Sequence, residues 1–159
     1  MRHALIRRTA RIIDQFVAAY KQAHKIRTFP HRGVREIVTL LFPHSAQKGK
    51  GAFKTVYVVR SQKKRLALKT SRSDQIMNDW LAYHCLPQNI RNRYFAKIYW
   101  LTDHCLLQKY GKGNKVPEKA LQKLKGIGKK YGLLDIRRAN IRKVDGKFKI
   151  VDASISSRE

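Results

Sequence analysis

The chain has 159 residues, of which 36 are Lys or Arg and 10 are Asp or Glu, giving a formal net charge of +26 at pH 7. Apolar residues make up 43% of the chain, including 7 Tyr and 6 Phe, so the composition excludes a disordered tail and allows one hydrophobic core. A cation of this density repels itself and indicates a polyanionic partner: a nucleic acid, an anionic membrane surface, or a phosphorylated or sugar-acid substrate. Because acids are scarce, each carboxylate is expected to have a specific role.

The cysteine count and the N-terminus indicate the compartment. Cys85 and Cys105 are too few for a disulfide framework. No apolar run approaches the roughly 18 residues that a membrane span needs, and Arg7, Arg8 and Arg11 interrupt the N-terminus where a signal peptide would be apolar. We therefore expect a cytoplasmic protein, with peripheral contact to a membrane surface as the alternative.

The first predicted elements are two helices within residues 1–44. Apolar residues recur at helical spacing from residue 2 to about 25 among Arg and Lys, which predicts a basic amphipathic helix. A shorter helix is predicted from Val34 to the stop at Pro43. We expect the first helix to pack its apolar stripe on the main domain, leaving its basic face available for an anion.

Residues 45–110 form a second predicted segment, and residues 111–159 a third. The periodicity of the second segment predicts two strands, a helix and two more strands, at residues 55–60, 66–70, 74–86, 95–101 and 105–110. In the third segment Pro117 suits a helix start, and the Asp145-Gly146 turn between two apolar runs is a strong hairpin signal. Together these elements predict an α+β fold.

Three residues of the second segment have the chemistry and positions that a polyphosphate site requires. Gly49 and Gly51 lie just before a strand, where glycines let backbone N–H groups approach a polyphosphate. Lys69 ends an apolar strand, and a lysine there needs an anion to offset its burial. Each signal is weak alone.

The third segment contains candidate magnesium ligands. Asp152 directly follows an apolar strand, twelve residues after Asn140 and seventeen after Asp135. Carboxylate and amide oxygens are the protein ligands that Mg²⁺ prefers, so this spacing around a hairpin predicts a magnesium site.

These residues, in this order, resemble the motifs of the protein kinase superfamily over about residues 46–154. Residues 49–56 are similar to its glycine-rich loop, residues 67–69 to its A-x-K strand, and residues 135–140 keep its D-x-x-x-x-N spacing. The resemblance implies a kinase-like fold with a small antiparallel N-lobe sheet and one helix. A rudimentary C-lobe of one helix and a catalytic-loop hairpin would follow, and a basic helical extension would precede both.

The resemblance also implies a role for each phosphotransfer residue. Lys69 would hold the α and β phosphates of ATP, and Asp135 would orient or deprotonate the attacking hydroxyl. Asn140 and Asp152 would bind Mg²⁺. Arg137 matches the position at which protein-directed members keep a lysine near the transferred phosphate.

The same resemblance assigns the adenine contacts and the ion pair. Val56 and Ala67 would form the roof of the adenine site, with Gln108 and Tyr110 in the hinge. The family's helix glutamate that pairs with the lysine has no counterpart between residues 37 and 117, so Asp79 is the best substitute and Asp74 the next.

The chain also departs from the family's pattern. D-F-G is replaced by Asp152-Ala153-Ser154, and the His-Arg before the catalytic Asp is replaced by Leu133-Leu134. Seven residues follow Asp152, so we expect no activation segment and a protein partner that completes the short C-lobe. This brevity resembles RIO-type and Bud32-type atypical kinases and bacterial lipopolysaccharide-core or effector kinases.

We therefore expect an ATP- and Mg²⁺-dependent phosphotransferase acting on a hydroxyl of an anionic or nucleic-acid-associated substrate. An alternative is a basic nucleic-acid-binding protein, because Gly126-Ile127-Gly128 resembles the helix-hairpin-helix turn whose N–H groups bind a DNA phosphate. That alternative requires a second helix from about Leu133. A kinase-like binding module without activity is the third interpretation.

Overall fold

The computed structural model describes residues 3–25, 28–50, 54–113 and 115–155. Over these residues the fold is α+β, as predicted. The chain divides into two compact units: unit 1 comprises Met1–Ile76 and Tyr99–Gln108, and unit 2 comprises Met77–Ile98 and Lys109–Glu159. No helix within the described ranges is long and apolar enough to cross a membrane.

Unit 1 begins with the two predicted helices, α1 (Ala4–His24) and α2 (His31–Leu41). The buried residues of α1 recur every three or four positions, which gives the helix one apolar stripe. They are Ile6, Thr9, Ala10, Ile13 and Val17. The two helices approach closely at Gly33 of α2, where a Cβ atom would lie 2.4 Å from Cζ of Phe16.

The sheet of unit 1 has the strand order β1-β2-β3-β5-β4. Its strands are β1 (Ala46–Lys50), β2 (Lys54–Ser61), β3 (Lys64–Ser71), β4 (Ile98–Leu101) and β5 (Cys105–Lys109). The pairs β1–β2 and β2–β3 are antiparallel, and Gln62 and Lys63 form the tight turn of the second hairpin with positive φ angles. The predicted strands at residues 55–60 and 66–70 are therefore confirmed.

One face of this sheet packs against α1 and α2. The core contains Tyr57 and Val59 of β2 together with Leu66 and Leu68 of β3, and helix residues that include Val34 of α2. Because side chains alternate along a strand, the intervening residues of β2 and β3 point to the opposite face. The predicted packing of the α1 stripe on the main domain is confirmed.

A half-buried carboxylate ties α1 to the loop between β4 and β5. Asp14 Oδ1 accepts a hydrogen bond from the backbone N–H of His104 at 2.9 Å, and the His104 ring Nδ1 lies 3.1 Å from the carbonyl oxygen of Ser71. Burial raises the pKa of Asp14, and the hydrogen bonds that it accepts oppose this rise.

Unit 2 contains most of α3 (Ser73–Cys85) and three further groups of elements. These are the helices α4 (Gln88–Tyr94) and α5 (Glu118–Tyr131), the strand pair β6 (Leu133–Leu134) with β9 (Ser154–Ile155), and the hairpin β7 (Ile141–Val144) with β8 (Lys147–Ile150). A 3-10 turn, Arg138–Asn140, precedes β7. The hairpin around the Asp145-Gly146 turn is confirmed.

Two features of unit 2 differ from the sequence-based expectation. The helix α4 was not predicted, because it is short and buries no residue, so it lacks amphipathic periodicity. The prediction of a helix-hairpin-helix turn at Gly126-Ile127-Gly128 is wrong, because these residues lie inside α5. The segment that should begin a second helix at Leu133 is instead the strand β6.

The contact of Asp14 predicts a pH-dependent stability. The pKa of Asp14 lies above its ordinary value of 3.8 in the folded chain, so folding strengthens proton binding. The corresponding stabilisation is fully present below pH 3.8 and is lost as the pH rises through the folded-state pKa. We expect the wild type to lose stability relative to Asp14→Asn over this interval, measured by urea unfolding at a series of acidic pH values. A difference between the two proteins that did not change with pH would contradict this assignment.

Candidate functional site

The glycine-rich segment and the candidate lysine lie in register across three strands of unit 1. Gly49 of β1 pairs with Val56 of β2, and Val56 pairs with Lys69 of β3. The register of β1 shifts between Gln47 and Gly49, which marks a β-bulge beside the predicted phosphate-binding glycines. Gly51 lies outside the described residues.

The face of the sheet opposite α1 and α2 brings four predicted site residues together. Val56 and Lys69 are directly paired, and Ala67 is two residues before Lys69, so all three point to this face. On β5 the neighbours Cys105 and Leu107 belong to the helix-side core, so Gln108 points the other way. The alternation of the strands therefore places the predicted adenine roof, the lysine and one hinge residue on one face.

Lys69 is buried, with 4% of its surface exposed. Removing an ammonium group from water costs several kcal/mol unless an anion compensates it. That an anion offsets the burial of Lys69 stays a prediction.

The two candidate acids on α3 have different environments. Asp74 is exposed, and its carboxylate pairs with Arg72 Nη2 at 2.9 Å. Desolvation alone would raise the pKa of Asp74, but the hydrogen bond and the charge of Arg72 outweigh it and lower that pKa below its ordinary value. Asp79 is 1% exposed and lies on the buried stripe of α3 between Ile76 and Ala82. The burial of Asp79 favours it over Asp74 as the acid that a buried cation requires.

The predicted hinge segment after β5 is attached to β7 within unit 2. Lys112 and Lys143 exchange two backbone hydrogen bonds of 2.9 Å each. A Cβ atom on Gly111 would lie 2.4 Å from Cβ of Arg142, so only glycine allows this close approach. Tyr110, the second predicted hinge residue, is half-buried immediately before this contact.

The predicted catalytic loop is a compact hydrogen-bonded turn. Asp135 has a φ angle of 64°, in the left-handed region that Asp and Asn tolerate better than most residues. Asn140 Nδ2 donates to the carbonyl oxygen of Asp135 at 2.9 Å and to its Oδ2 at 3.2 Å. Arg137 Nε lies 3.2 Å from Asp135 Oδ1. Asn140 therefore holds both the backbone and the carboxylate of Asp135.

Two short strand ladders bring Asp152 to this loop. Leu134, which precedes Asp135, pairs with Ser154, two residues after Asp152. On the other side, Val151 N donates to the carbonyl oxygen of Asn140 at 2.9 Å. The backbone segments of the three predicted residues, Asp135, Asn140 and Asp152, are thus neighbours within unit 2.

The donor set suits Mg²⁺ bound together with phosphates. Within the described ranges no group of three or more His, Cys, Asp or Glu side chains could hold a metal ion alone. Mg²⁺ is commonly held by one or two carboxylates, with water and substrate phosphates completing its octahedron. Because Asn140 Nδ2 donates to Asp135, Oδ1 is the atom of this amide suited to a cation. The carboxylate of Asp152 is the second candidate ligand.

Gly128 supports the loop, a role that the sequence did not indicate. A Cβ atom on Gly128 would lie 2.8 Å from Cγ1 of Ile136 and 3.4 Å from the carbonyl oxygen of Leu133, on either side of Asp135. Gly126, two residues earlier, has open space around it. The signal available in the sequence was a glycine on the apolar side of a predicted helix.

The structure is similar to solved protein kinase structures at low identity. One is the crystal structure of a kinase domain, with a TM-score of 0.44 and 19% identity, covering 71% of this chain and 51% of that chain. Another is the Cydia pomonella granulovirus kinase PK-1, with a TM-score of 0.46 and 14% identity, covering 80% of this chain and 61% of the kinase. This chain thus spans less than two thirds of the length of either.

No protein-family model and no curated protein matches the chain. At the TM-scores and identities of the two kinases, the likeness concerns the course of the chain, and no activity, substrate or partner follows from it.

The two glycines of α5 give a matched test of how the loop is supported. Gly128→Ala should destabilise the protein by about 1–3 kcal/mol, because the new methyl group overlaps Ile136. Gly126→Ala should instead stabilise it by about 0.5–1 kcal/mol, since it only improves helix propensity. Chemical denaturation measures both changes. Equal effects of the two substitutions would show that α5 does not press on the loop.

Proposed function

We propose that this chain is a minimal ATP- and Mg²⁺-dependent phosphotransferase. The observation that carries the proposal is the arrangement of Asp135, Asn140 and Asp152 on adjacent backbone segments of unit 2. The hydrogen bonds from Asn140 to Asp135 orient the Asp135 carboxylate. The backbone segment that carries Asp152 lies beside the same loop. A catalytic base next to two oxygen ligands for magnesium is the combination that phosphoryl transfer uses.

Each of these side chains has a defined task in the proposed reaction. The carboxylate of Asp135 orients the attacking hydroxyl and accepts its proton. The Oδ1 atom of Asn140 and the carboxylate of Asp152 hold Mg²⁺, which when bound neutralises charge on the phosphates. Arg137 lies beside Asp135, where its guanidinium can contact the transferred phosphate.

The sheet face of unit 1 supplies the proposed nucleotide contacts. Lys69 is proposed to bind the α and β phosphates, since a buried ammonium group is stabilised by anionic oxygens. Val56 and Ala67, on the same face, would contact the adenine ring, and Gln108 and Tyr110 would hydrogen-bond its edge. The buried Asp79 is the proposed ion-pair partner of Lys69.

The charge of the chain supports an anionic substrate. A net charge of +26 raises the local concentration of polyanions and would repel a cationic substrate. We therefore extend the proposal to a hydroxyl on a nucleic-acid-associated, phosphorylated or sugar-acid substrate. A protein partner that completes the lower lobe stays a prediction.

Binding of Mg·ATP tests the site residues separately from transfer. ATP should raise the thermal unfolding temperature of the wild type when Mg²⁺ is present and leave it unchanged when Mg²⁺ is omitted. Lys69→Met and Asp152→Asn should each weaken binding by about tenfold or more, because each removes a charged contact worth roughly 1.5–3 kcal/mol. The matched controls are Lys64→Met, an exposed lysine of the same strand, and Asp103→Asn, an exposed loop acid.

The outcomes separate a nucleotide site from general attraction by a basic protein. If Lys69→Met and Lys64→Met lost the same affinity for Mg·ATP, the binding would be explained by nonspecific charge attraction alone. If Lys69 and Asp152 act on the same nucleotide, their substitutions should be non-additive in a double-mutant cycle. Absence of any thermal shift with Mg·ATP would reject the nucleotide site.

Transfer is tested by Asp135→Asn. Asn tolerates the left-handed backbone that Asp135 adopts, so this variant should fold and bind Mg·ATP like the wild type. It should lose phosphate transfer by about 10²–10⁴-fold, the contribution of a positioned general base. The loss is measured as the rate of labelled-phosphate transfer to RNA, sugar-acid and phosphoprotein acceptors. A wild type that binds Mg·ATP and transfers to none of them would be the inactive binding module.

A further inference from the structure

A cavity on the helix side of the sheet in unit 1 has no part in the proposed nucleotide chemistry. Its volume is about 310 Å³, and it is lined by His31, Arg32, Arg35, Gln47, Thr55 and Tyr57. The first three belong to the first two turns of α2, and the others to β1 and β2. Tyr57 belongs to the core beneath α1 and α2, so the cavity lies on the sheet face opposite Lys69.

Among the described residues that line this cavity, every side chain can donate a hydrogen bond and none is an acid. Two guanidinium groups, an imidazole, an amide and two hydroxyl groups form the set. The nearby carboxylate, that of Glu36, lies 3.7 Å from Arg32 Nε in a highly exposed ion pair. Pairs of this kind contribute little, so a phosphate that offers bidentate contacts can displace Glu36.

The floor of the cavity is buried, unlike an ordinary cluster of surface arginines. Thr55 and Tyr57 are each 2% exposed, and Thr55 Oγ1 lies 3.3 Å from His31 Nδ1. Burial raises the pKa of the Tyr57 hydroxyl, and the positive charge of Arg35 opposes that rise. A bound anion would therefore meet buried donors at the floor and two exposed guanidinium groups at the rim.

A second cavity, of about 640 Å³, adjoins the first and shares Arg32 and Arg35 with it. Its further lining includes Thr39, Leu40 and Pro43. Leu40 is 79% exposed, the most exposed large apolar side chain in the part of the chain that the structure describes. An apolar surface directly beside a donor-lined cavity suits a ligand with both an anionic and an apolar part.

We propose that the groove along α2 is a binding site for a phosphate monoester whose alcohol part is apolar. The phosphate occupies the cavity between α2 and the strands β1 and β2, where Arg32 and Arg35 bind it. The ester carbon skeleton extends along α2 and covers Leu40 and Pro43. Since this site is on the other sheet face from Lys69, its occupancy does not require a functioning nucleotide site.

The experiment titrates the full chain with phenyl phosphate, inorganic phosphate and phenol by calorimetry at about 0.15 M salt, where exposed charges are largely screened. Phenyl phosphate should bind more tightly than inorganic phosphate, and phenol should not bind measurably. Backbone amide shifts in NMR spectra should change at Gln47, Thr55 and Tyr57 on addition of either phosphate.

Charge-matched double variants locate the site. The double variant Arg32→Gln, Arg35→Gln should bind phenyl phosphate and inorganic phosphate about tenfold more weakly, or worse. Arg8→Gln with Arg60→Gln removes the same charge from exposed positions away from the cavity and should leave both affinities within about twofold. Leu40→Ser should weaken phenyl phosphate only. All these variants change exposed side chains, so they should fold.

The outcomes distinguish this site from the nucleotide site. Mg·ATP binding should be unchanged in the Arg32→Gln, Arg35→Gln variant, and phenyl phosphate binding should be unchanged in Asp152→Asn. Equal losses in the two double variants would overturn the proposal in favour of nonspecific charge. Equal affinities for phenyl phosphate and inorganic phosphate would reject the proposal that the ligand has an apolar part. Much tighter binding of a phosphoserine peptide would reject the proposal that the ligand is a small ester.

Discussion

The alternation of side chains along β2 and β3 is the constraint on which the rest of unit 1 depends. Tyr57, Val59, Leu66 and Leu68 point to one face and form the core with α1 and α2. The residues between them, Lys69 among them, must then point to the other face. A shift of register by one residue would exchange the two sets, burying Lys69 in the helix-side core. The same constraint separates the proposed nucleotide face from the cavity beneath α2.

Acids are scarce in this cationic chain, and most of the described carboxylates have an identifiable contact. Asp14 accepts the N–H of His104, and Asp79 is buried on α3. Exposed ion pairs among the described residues include Arg32–Glu36, Arg72–Asp74, Lys109–Asp145, Arg137–Asp135 and Arg138–Glu118. Exposed pairs add little stability, so their effect is mainly to orient loops. Two of them, at Arg137 and Arg138, lie in the predicted catalytic loop.

The prediction from sequence succeeded where a segment is long and periodic, and failed where tertiary contacts decide. The helix α1 and the β2–β3 hairpin have clear periods of 3.6 and 2 residues. The strands β6 and β9 are two residues each, too short for a period, and exist because each pairs with the other. Gly128 suggested a phosphate-binding turn, yet α5 continues through it, because its missing side chain makes room for Ile136.

The sequence by itself determined the α+β class, the basic charge and the order of the candidate residues, because these depend on composition, local periodicity and spacing. The tertiary structure alone decided which of them are neighbours. Pairing of β6 with β9 and of β7 with β8 brings Asp152 beside Asp135 and Asn140, although they are up to seventeen residues apart. Burial likewise distinguishes Asp79 from Asp74, since a carboxylate is costly inside an apolar face and ordinary on a surface.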